Sequence, residues 1–492
     1  MRAFIERAVS RISKMPMAMV VAPFAAGILF ADAVTIPLWL ALLASVFTLV
    51  GVIALSKWWQ NVAVLAMIFA IGSLLHGLSY RGDIPYDKPL SILLKVESSS
   101  AERKGYTSAE AKIKACDNSS IAGCRVVLWG DSLTRFCAGD HLRLTTTIRP
   151  FKSKQESYAR LMHHRGFIGS VSVGRNTNYE YIPTERESLH DWAVGRLQRA
   201  VGEGDARATL LAMTIGERGE ISNELRQNYS TSGASHLLAV SGLHIGIVFM
   251  LINIMLLPLL LLRYGNALRS VLAVALIWLY VWLCGLSPSA VRAAIMFSLL
   301  QFSLSSLRDY ASVNILAGTA FVMLAFDTHL LFDISFQLSF VAVASIVLWG
   351  VPLYRLCRTR FAALNALTGT LIVGIVSTLA TMPLVTNTFS VVAPIGILIN
   401  PVVIALAYVV VMAGIVTLAT PLVAPVAEFA VKLQNCVVEW AATLPYGHFE
   451  VAISDGVMWS IYAVFAVITI PIWLFVVKDE RERDNEKTRF TK

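Results

Sequence analysis

Apolar runs long enough to cross a bilayer recur along this chain, and nothing else in the sequence constrains its fold as strongly. They lie at about 16–30, 34–56, 60–79, 236–262, 270–285, 289–307, 313–332, 334–353, 362–386, 391–420 and 456–477. Of 492 residues, 56% are hydrophobic and only 15% charged, with a mean hydropathy of +0.65. The expected fold is therefore a polytopic α-helical membrane protein of about ten spans. A net charge of +9 does not by itself identify a nucleic-acid partner, because the cytoplasmic loops of such proteins collect lysine and arginine.

Arg2, Arg7, Arg11 and Lys14 precede the first run and place the N-terminus in the cytoplasm, with no small-residue cleavage site to mark a removed signal. Residues 1–80 then form a three-span region that leaves the chain outside. Residues 81–190 are an external polar domain, and 191–232 read as amphipathic helices along the membrane surface, with Gly216-Glu217-Arg218 as a solvated turn. Residues 233–478 form a second polytopic domain and 479–492 a cytoplasmic tail. Arg263 and Arg269, Arg308, then Arg355, Arg358 and Arg360 all fall on one side. Beyond residue 360 the parity fails, because three apolar runs leave the tail outside. One re-entrant segment near Pro394, Gly396, Asn400 and Pro401 resolves the conflict, with 426–444 as a second surface helix.

The external domain changes texture to short β-rich runs: SILLKVESSS, SAEAKIKACD, CRVVLWGDS, HLRLTTTIRP and FIGSVSV. In HLRLTTTIRP, Leu142, Leu144, Thr146 and Ile148 alternate with Arg143, Thr145, Thr147 and Arg149, the period of a half-buried strand. Five such strands suit a small inserted β-barrel of OB-like type, ahead of an immunoglobulin-like sandwich, which ordinarily has seven. Cys116 and Cys124 flank the turn between the second and third strands on the oxidising side, so a disulfide is expected there, with Cys137 as the competing partner. The barrel also carries Lys112, Lys114, Arg125, Arg143, Arg149, Lys152 and Lys154, with Trp129 among them. Cations interleaved with aromatics are what a single-strand binding face needs, since phosphates supply affinity and rings accept bases. The alternative is a solvated surface over core aromatics.

Polar side chains gather at the outer ends of spans in the second domain: His236, Ser241 and His244; Ser289 and Arg292; Asp333, Ser335, Gln337 and Ser339; Asn387 and Asn400. At 100° per residue, His236, Ser241 and His244 share one face of a regular helix. Gly233, Gly242 and Gly246 remove side chains beside them and admit a neighbouring helix. Arg292 is the strongest signal, because an arginine a turn inside an apolar helix costs about 2.5 kcal/mol unless paired or wetted. These groups either line a wet path for a charged polymer or merely lock helices, Asp333 then being the partner of Arg292. The spacing of Cys and His fits no structural metal, no Walker A motif is present, and no cofactor is expected.

The arrangement resembles the ComEC family of DNA-uptake channels of naturally competent bacteria. The resemblance rests on GASHLLAVSGLHIGIV (233–248), the preceding LAMTIGERGEIS, SPSAVRAAIMF (287–297), DISFQLSFVAVASI (333–346), and MPL followed by INP near 382–401; GDHLRLTTTIRP and RGFIGSVSV look like the family's external domain. It implies an inner-membrane channel that passes one DNA strand, with an OB-like domain receiving it on the periplasmic side. By that resemblance His236, Ser241, His244, Arg292 and the segment from Asp333 to Ser339 become candidates for the channel core, and Ser289, Asn387 and Asn400 are channel-lining candidates by their own polarity. It also implies partners: membrane lipid, single-stranded DNA, a periplasmic DNA receptor, and a cytoplasmic motor or single-strand binding proteins. Many relatives end in a metallo-β-lactamase-like domain, whereas this chain stops fifteen residues after residue 477 with no HxHxDH signature, so a separate nuclease is expected. Two other readings stand beside the channel. One is a membrane-embedded enzyme using His236 and His244, and the other a small-solute transporter with an external sensory domain.

Overall fold

A computed structural model describes residues 16–469, apart from 35–36, 55–56, 80–85, 87, 98–100, 104–105, 118–120, 132–135, 137–138, 152–161, 163–165, 175–178, 183–188, 306–311, 445–446 and 448. Lys152, Lys154, Cys137 and the 479–492 tail lie outside the described residues. The chain divides into two compact units, Met1–Ser188 with Ala317–Asp333, and Leu189–Leu316 with Ile334–Lys492.

The first unit opens with helices α1 (Pro16–Ala33), α2 (Leu38–Ala54) and α3 (Lys57–Ser79). Apolar helices in lipid gain little from the hydrophobic effect between them and associate where small residues let backbones meet. Here a Cβ on Gly27 would lie 2.0 Å from the Phe69 carbonyl oxygen, and one on Gly72 2.3 Å from that of Phe24. Beside this contact the Ser73 hydroxyl donates to the Gly27 carbonyl at 2.8 Å. Trp39, Phe47 and Ile53 of α2 stay exposed, as side chains bathed in acyl chains do.

All five expected strands form, as β1 (Pro89–Val96), β3 (Tyr106–Cys116), β4 (Arg125–Asp131), β5 (His141–Thr147) and β6 (Phe167–Val173). The short β2 (Ala101–Arg103) and β7 (Tyr179–Ile182) join them in one sheet, in the order β6-β4-β3-β1-β5-β7 with β2 beside β3. Pairing is antiparallel except for β4 with β6, and a bridge from Arg149 to Ser170 draws the region after β5 toward β6. Alternation places Ile92, Leu94, Ala111, Ile113, Leu128 and Leu142 in one apolar core. As the period of HLRLTTTIRP predicts, Leu144 and Ile148 are buried while Arg143 and Arg149 are exposed.

The expected Cys116–Cys124 disulfide is not formed; both residues carry thiols. The Ile113 N–H donates to the Cys124 carbonyl, so the ladder sets Cys124 opposite Ile113 rather than opposite Cys116. A disulfide needs facing Cβ atoms.

The second unit is helical: α4 (Leu189–Ala200), α5 (Asp205–Thr214), α6 (Asn223–Thr231), α7 (Gly242–Met255), α8 (Gly265–Leu283) and α9 (Pro288–Ser305). Most of α10 (Ser312–Phe326) belongs to the first unit, and the second resumes with α11 (Ile334–Ser345), α12 (Val351–Cys357), α13 (Ala362–Phe389), α14 (Ile395–Ala419), α15 (Ala424–Thr443) and α16 (Asp455–Thr469). Among the described residues, seven helices are long and apolar enough to cross a membrane, with five shorter apolar ones besides.

Three expectations change. Residues 191–232 are not simply surface helices, because Ala208 to Thr214 of α5 are all buried, in contact with α14 and α15. No re-entrant break interrupts 394–401. Ser390 turns the chain at φ 55°, β8 (Val391–Val392) pairs with β9 (Phe449–Glu450), and α14 then runs unbroken through Pro401. The segment 426–444 falls, but for its last residue, in Pro421–Thr443, itself of membrane-crossing length and hydropathy. Counted as a crossing, it gives four segments after Ala362 and removes the parity conflict that the re-entrant segment was invoked to solve.

The α1–α3 contact predicts that Gly27→Ala destabilises the protein by about 1–3 kcal/mol, because the new methyl group meets backbone that cannot rotate away. Gly374→Ala, where nothing lies within 4 Å, is expected to be neutral or stabilising by up to about 1 kcal/mol. Thermal unfolding of both variants in detergent checks the contrast.

Candidate functional site

The stretch SHLLAVSGLH is not one regular helix. Gly233, at φ 75°, packs so closely on Ala393 and Gly396 that a Cβ there would lie 3.2–3.3 Å from both. A 3-10 turn over Ser235–Leu238 follows, then extended backbone at Ala239 and Ser241, and only then α7. The predicted shared face therefore breaks up. His236 is exposed on the 3-10 turn, whereas His244 is fully buried in the first turn of α7.

Ser241 and His244 close that turn reciprocally. The Ser241 N–H donates to His244 Nδ1 at 3.0 Å, with the Ser241 hydroxyl 3.4 Å from the same nitrogen. A histidine thus does the work of the glutamate in a capping box. With Nδ1 accepting, the neutral ring carries its proton on Nε2, which is buried without a hydrogen-bond partner.

Helix α9 comes against α7 through the glycines. Cβ atoms on Gly242 and Gly246 would lie 4.0 Å from Ala293 Cβ and 3.1 Å from Phe297 Cζ. At the head of α9 the Ser289 hydroxyl donates to the Val240 carbonyl. One turn further, Arg292 is 3% exposed, and its Nη2 donates to the Ser335 hydroxyl on α11 at 3.4 Å. Val240, Ser241, His244, Ser289, Arg292 and Ser335 thereby form a polar seam across α7, α9 and α11.

The remaining candidates are placed as follows. Gln337 and Ser339 are half-buried on α11, and Asp333 caps the 3-10 turn Thr328–Phe332 of the first unit. Asn400 is buried in α14 with Oδ1 unpartnered, its Nδ2 beside Gly396 and so beside the Ser232–Gly233 turn. Asn387 stands apart from the seam. It donates to the Ile453 carbonyl and to Asp455 Oδ1, both at 3.0 Å, and ties the end of α13 to the start of α16.

Sequence reasoning missed two polar clusters. In the turn Gly216-Glu217-Arg218 only Arg218 is exposed; Gly216 packs near Val240, a Cβ there lying 3.2 Å from its methyl group, and Glu217 is half-buried. Glu217 lies 3.4 Å from His190 Nε2 and accepts from the Gly219 N–H at 2.7 Å, while His190 Nδ1 donates to the Leu283 carbonyl at 2.7 Å. The bond to Glu217 raises the His190 pKa above 6.5 against the opposing effect of burial, and the same bond holds Glu217 below 4.5. Nearby, the Tyr229 hydroxyl donates to Asn435 Oδ1 at 2.8 Å and accepts from Gln434 Nε2 at 3.0 Å; burial pushes that phenol up to about 12. Only spacing could have signalled these clusters, and their partners lie as far as 206 residues apart.

In the β-sheet domain Lys112, Lys114, Arg125 and Trp129 lie on the outward side of β3 and β4. Lys95, Lys112 and Arg125 stand side by side in register across β1, β3 and β4. Arg125 pairs with Glu97 at 3.1 Å and Arg143 with Glu180 at 3.2 Å, both at the surface, where such pairs contribute little. Arg149 is exposed at the bridge to β6. Among the described residues no three His, Cys, Asp or Glu side chains gather to hold a metal ion.

A family profile described as Competence protein matches residues 213–477, more than half of the chain, and includes the polar seam. The chain is similar to an uncharacterized protein of Aquifex aeolicus, 30% identical over 264 residues, covering 51% of this chain and 59% of that protein. It is also similar to ComE operon protein 3 of Bacillus subtilis, 32% identical over 184 residues, covering 37% of this chain and 22% of that protein. The chain thus spans less than two thirds of either relative's length. No solved structure matches it.

The His190–Glu217 pair predicts a pH window. The share of His190, whose pKa is raised on folding, is complete below about 6.5 and is lost as pH climbs through the folded value. The share of Glu217, whose pKa is lowered, is present above about 4.5 and is lost as pH falls. Unfolding measured across pH should show Glu217→Gln losing about 1 kcal/mol between these limits and converging on the parent above them.

Proposed function

The chain belongs to the competence protein (ComEC) family, and from that premise we propose that this multi-pass membrane protein passes single-stranded DNA into the cytoplasm during natural transformation. The observation that carries the reading is the seam from Val240 to Ser335, centred on an arginine 3% exposed within an apolar helical unit. A guanidinium at that depth is costly, and membrane proteins keep such groups where a charged cargo passes. Arg292 meets the phosphates of the strand, and Ser289, Ser335 and the Nε2–H of His244 supply neutral hydrogen bonds beside it. The bond from Ser241 to His244 favours a conduit over an enzyme, because it gives that histidine a capping task and leaves His236 on a separate turn.

The external domain is an OB-like barrel that receives the strand. Its long strands β1, β3, β4, β5 and β6 are the five of such a fold, and the face of the second and third is the one that OB-folds use for oligonucleotides. That face holds the row Lys95, Lys112 and Arg125, with Trp129 and the exposed Tyr106 as stacking surfaces. The membrane is the inner membrane of a bacterium, with the barrel on its periplasmic side. A DNA receptor there, a separate nuclease, and a cytoplasmic motor or single-strand binding proteins complete the pathway.

Deleting the gene should abolish transformation while labelled DNA still reaches the periplasm. Arg292→Ala, expressed at the parental level, should lower transformation by about 10- to 100-fold, the worth of one charge-assisted hydrogen bond. His244→Gln, which can still close the capping box, should keep the fold. Undiminished transformation in the deletion strain would sink the channel reading.

The receiving face has its own test in purified full-length protein. Binding of single-stranded DNA should weaken steeply with salt, and replacing Lys95, Lys112 or Arg125 by glutamine should flatten the log–log slope by about 0.7 for each lost phosphate contact.

A further inference from the structure

Between α7 and α8, away from the seam, lies a cavity of about 300 Å³ lined by Phe249, Met250, Asn253, Ile254, Leu257 and Arg269. Its walls are apolar apart from Asn253 and a single guanidinium. Asn253 is satisfied locally, its amide donating to the Phe249 carbonyl at 3.0 Å. Arg269 reaches the Asn253 carbonyl with Nη2 at 3.4 Å, while its Nε is buried with no hydrogen-bond partner.

We propose that this cavity is a binding site for an anionic glycerophospholipid, with its phosphate on Arg269 and an acyl chain against Phe249, Met250, Ile254 and Leu257. The site rests on the multi-pass reading of the chain and is independent of whether DNA passes through it. Three observations select a lipid over a free phosphate. Four of the six lining side chains offer a phosphate nothing. Met250, Ile254 and Leu257 are 47–54% exposed and open the groove laterally to the surrounding acyl chains. Arg263 lies 5.6 Å from the Tyr264 ring, and that ring is 72% exposed, a cation and an aromatic of the kind that anchors helix ends at the headgroup layer. Arg269 recognises the phosphate with a planar donor fork, which sets it apart from the dispersed lysines and arginines of a positive loop.

The test uses the full-length protein in mild detergent, offered equal amounts of phosphatidylglycerol and phosphatidylcholine with the same chains, with bound lipid read by native mass spectrometry. The parent should retain phosphatidylglycerol over phosphatidylcholine by about tenfold, the range of one charge-assisted hydrogen bond. Arg269→Gln should bring the two near parity, and Ile254→Trp, which fills the groove with the charge intact, should lower retention of both. Excess glycerol 3-phosphate should not displace the lipid. Equal retention by the parent, an unchanged preference in Arg269→Gln, or displacement by glycerol 3-phosphate would each overturn the proposal. Should Arg269→Gln fail to fold, Ile254→Trp decides, and undiminished retention there also overturns it. Transformation is not part of the readout, so the lipid site and the channel can fail separately.

Discussion

A polar group inside an apolar helical unit must find its partner within the protein, and the second unit is organised around that requirement. Several of its hydroxyls, guanidinium groups and phenols bond across to another element rather than along their own helix. Ser289 bonds the carbonyl of Val240, Arg292 bonds Ser335, Tyr280 bonds the carbonyl of Thr214, and Tyr229 bonds Asn435. Each bond joins two elements that no apolar contact would hold in one register, because dispersion between helices does not choose among nearly equal slides. The cost of leaving such a group unpaired makes the choice instead.

Glycines set how close the joined elements come. Gly242 and Gly246 admit Ala293 and Phe297 to the flank of α7, and Gly233 meets Gly396 at the start of α14. The extended residues before α7 are therefore clasped by the head of α9 and by the Gly216 turn. This geometry turns a motif spread over one stretch into a seam shared by three helices. In the first unit the same device brings α1 and α3 together, while the sheet beside them relies on alternation and a dry core.

Much of this architecture is legible in the chain. The five long strands fall where β-rich texture and period-2 alternation place them, because half-burial on one face writes itself into every second residue. Apolar runs announce the helices for a similar reason. The errors are also physical. The charged residues in and around α5 imply a surface position, yet its seven consecutive buried residues form a core helix whose charges are confined to its first turn. Prolines and asparagine near 400 imply a broken helix, whereas Pro394 merely starts α14, and Pro401, seventh in the helix, forgoes one amide bond without breaking it. His236 and His244, eight residues apart, fall on one face only if the backbone between them is helical, and it is not.

What the sequence determined alone is whatever depends on near neighbours: membrane residence, the strand run between residues 89 and 173, and a polar motif in an apolar setting that no lipid-facing helix tolerates. What tertiary structure decided is which of those polar groups meet. The bond that makes His244 a cap is local, but the approach of Arg292 to Ser335, of His190 to Glu217, and of Asn387 to the start of α16 spans 27 to 68 residues. Such pairings arise only when helices pack, and a chain written in one dimension carries the need for a partner without naming it.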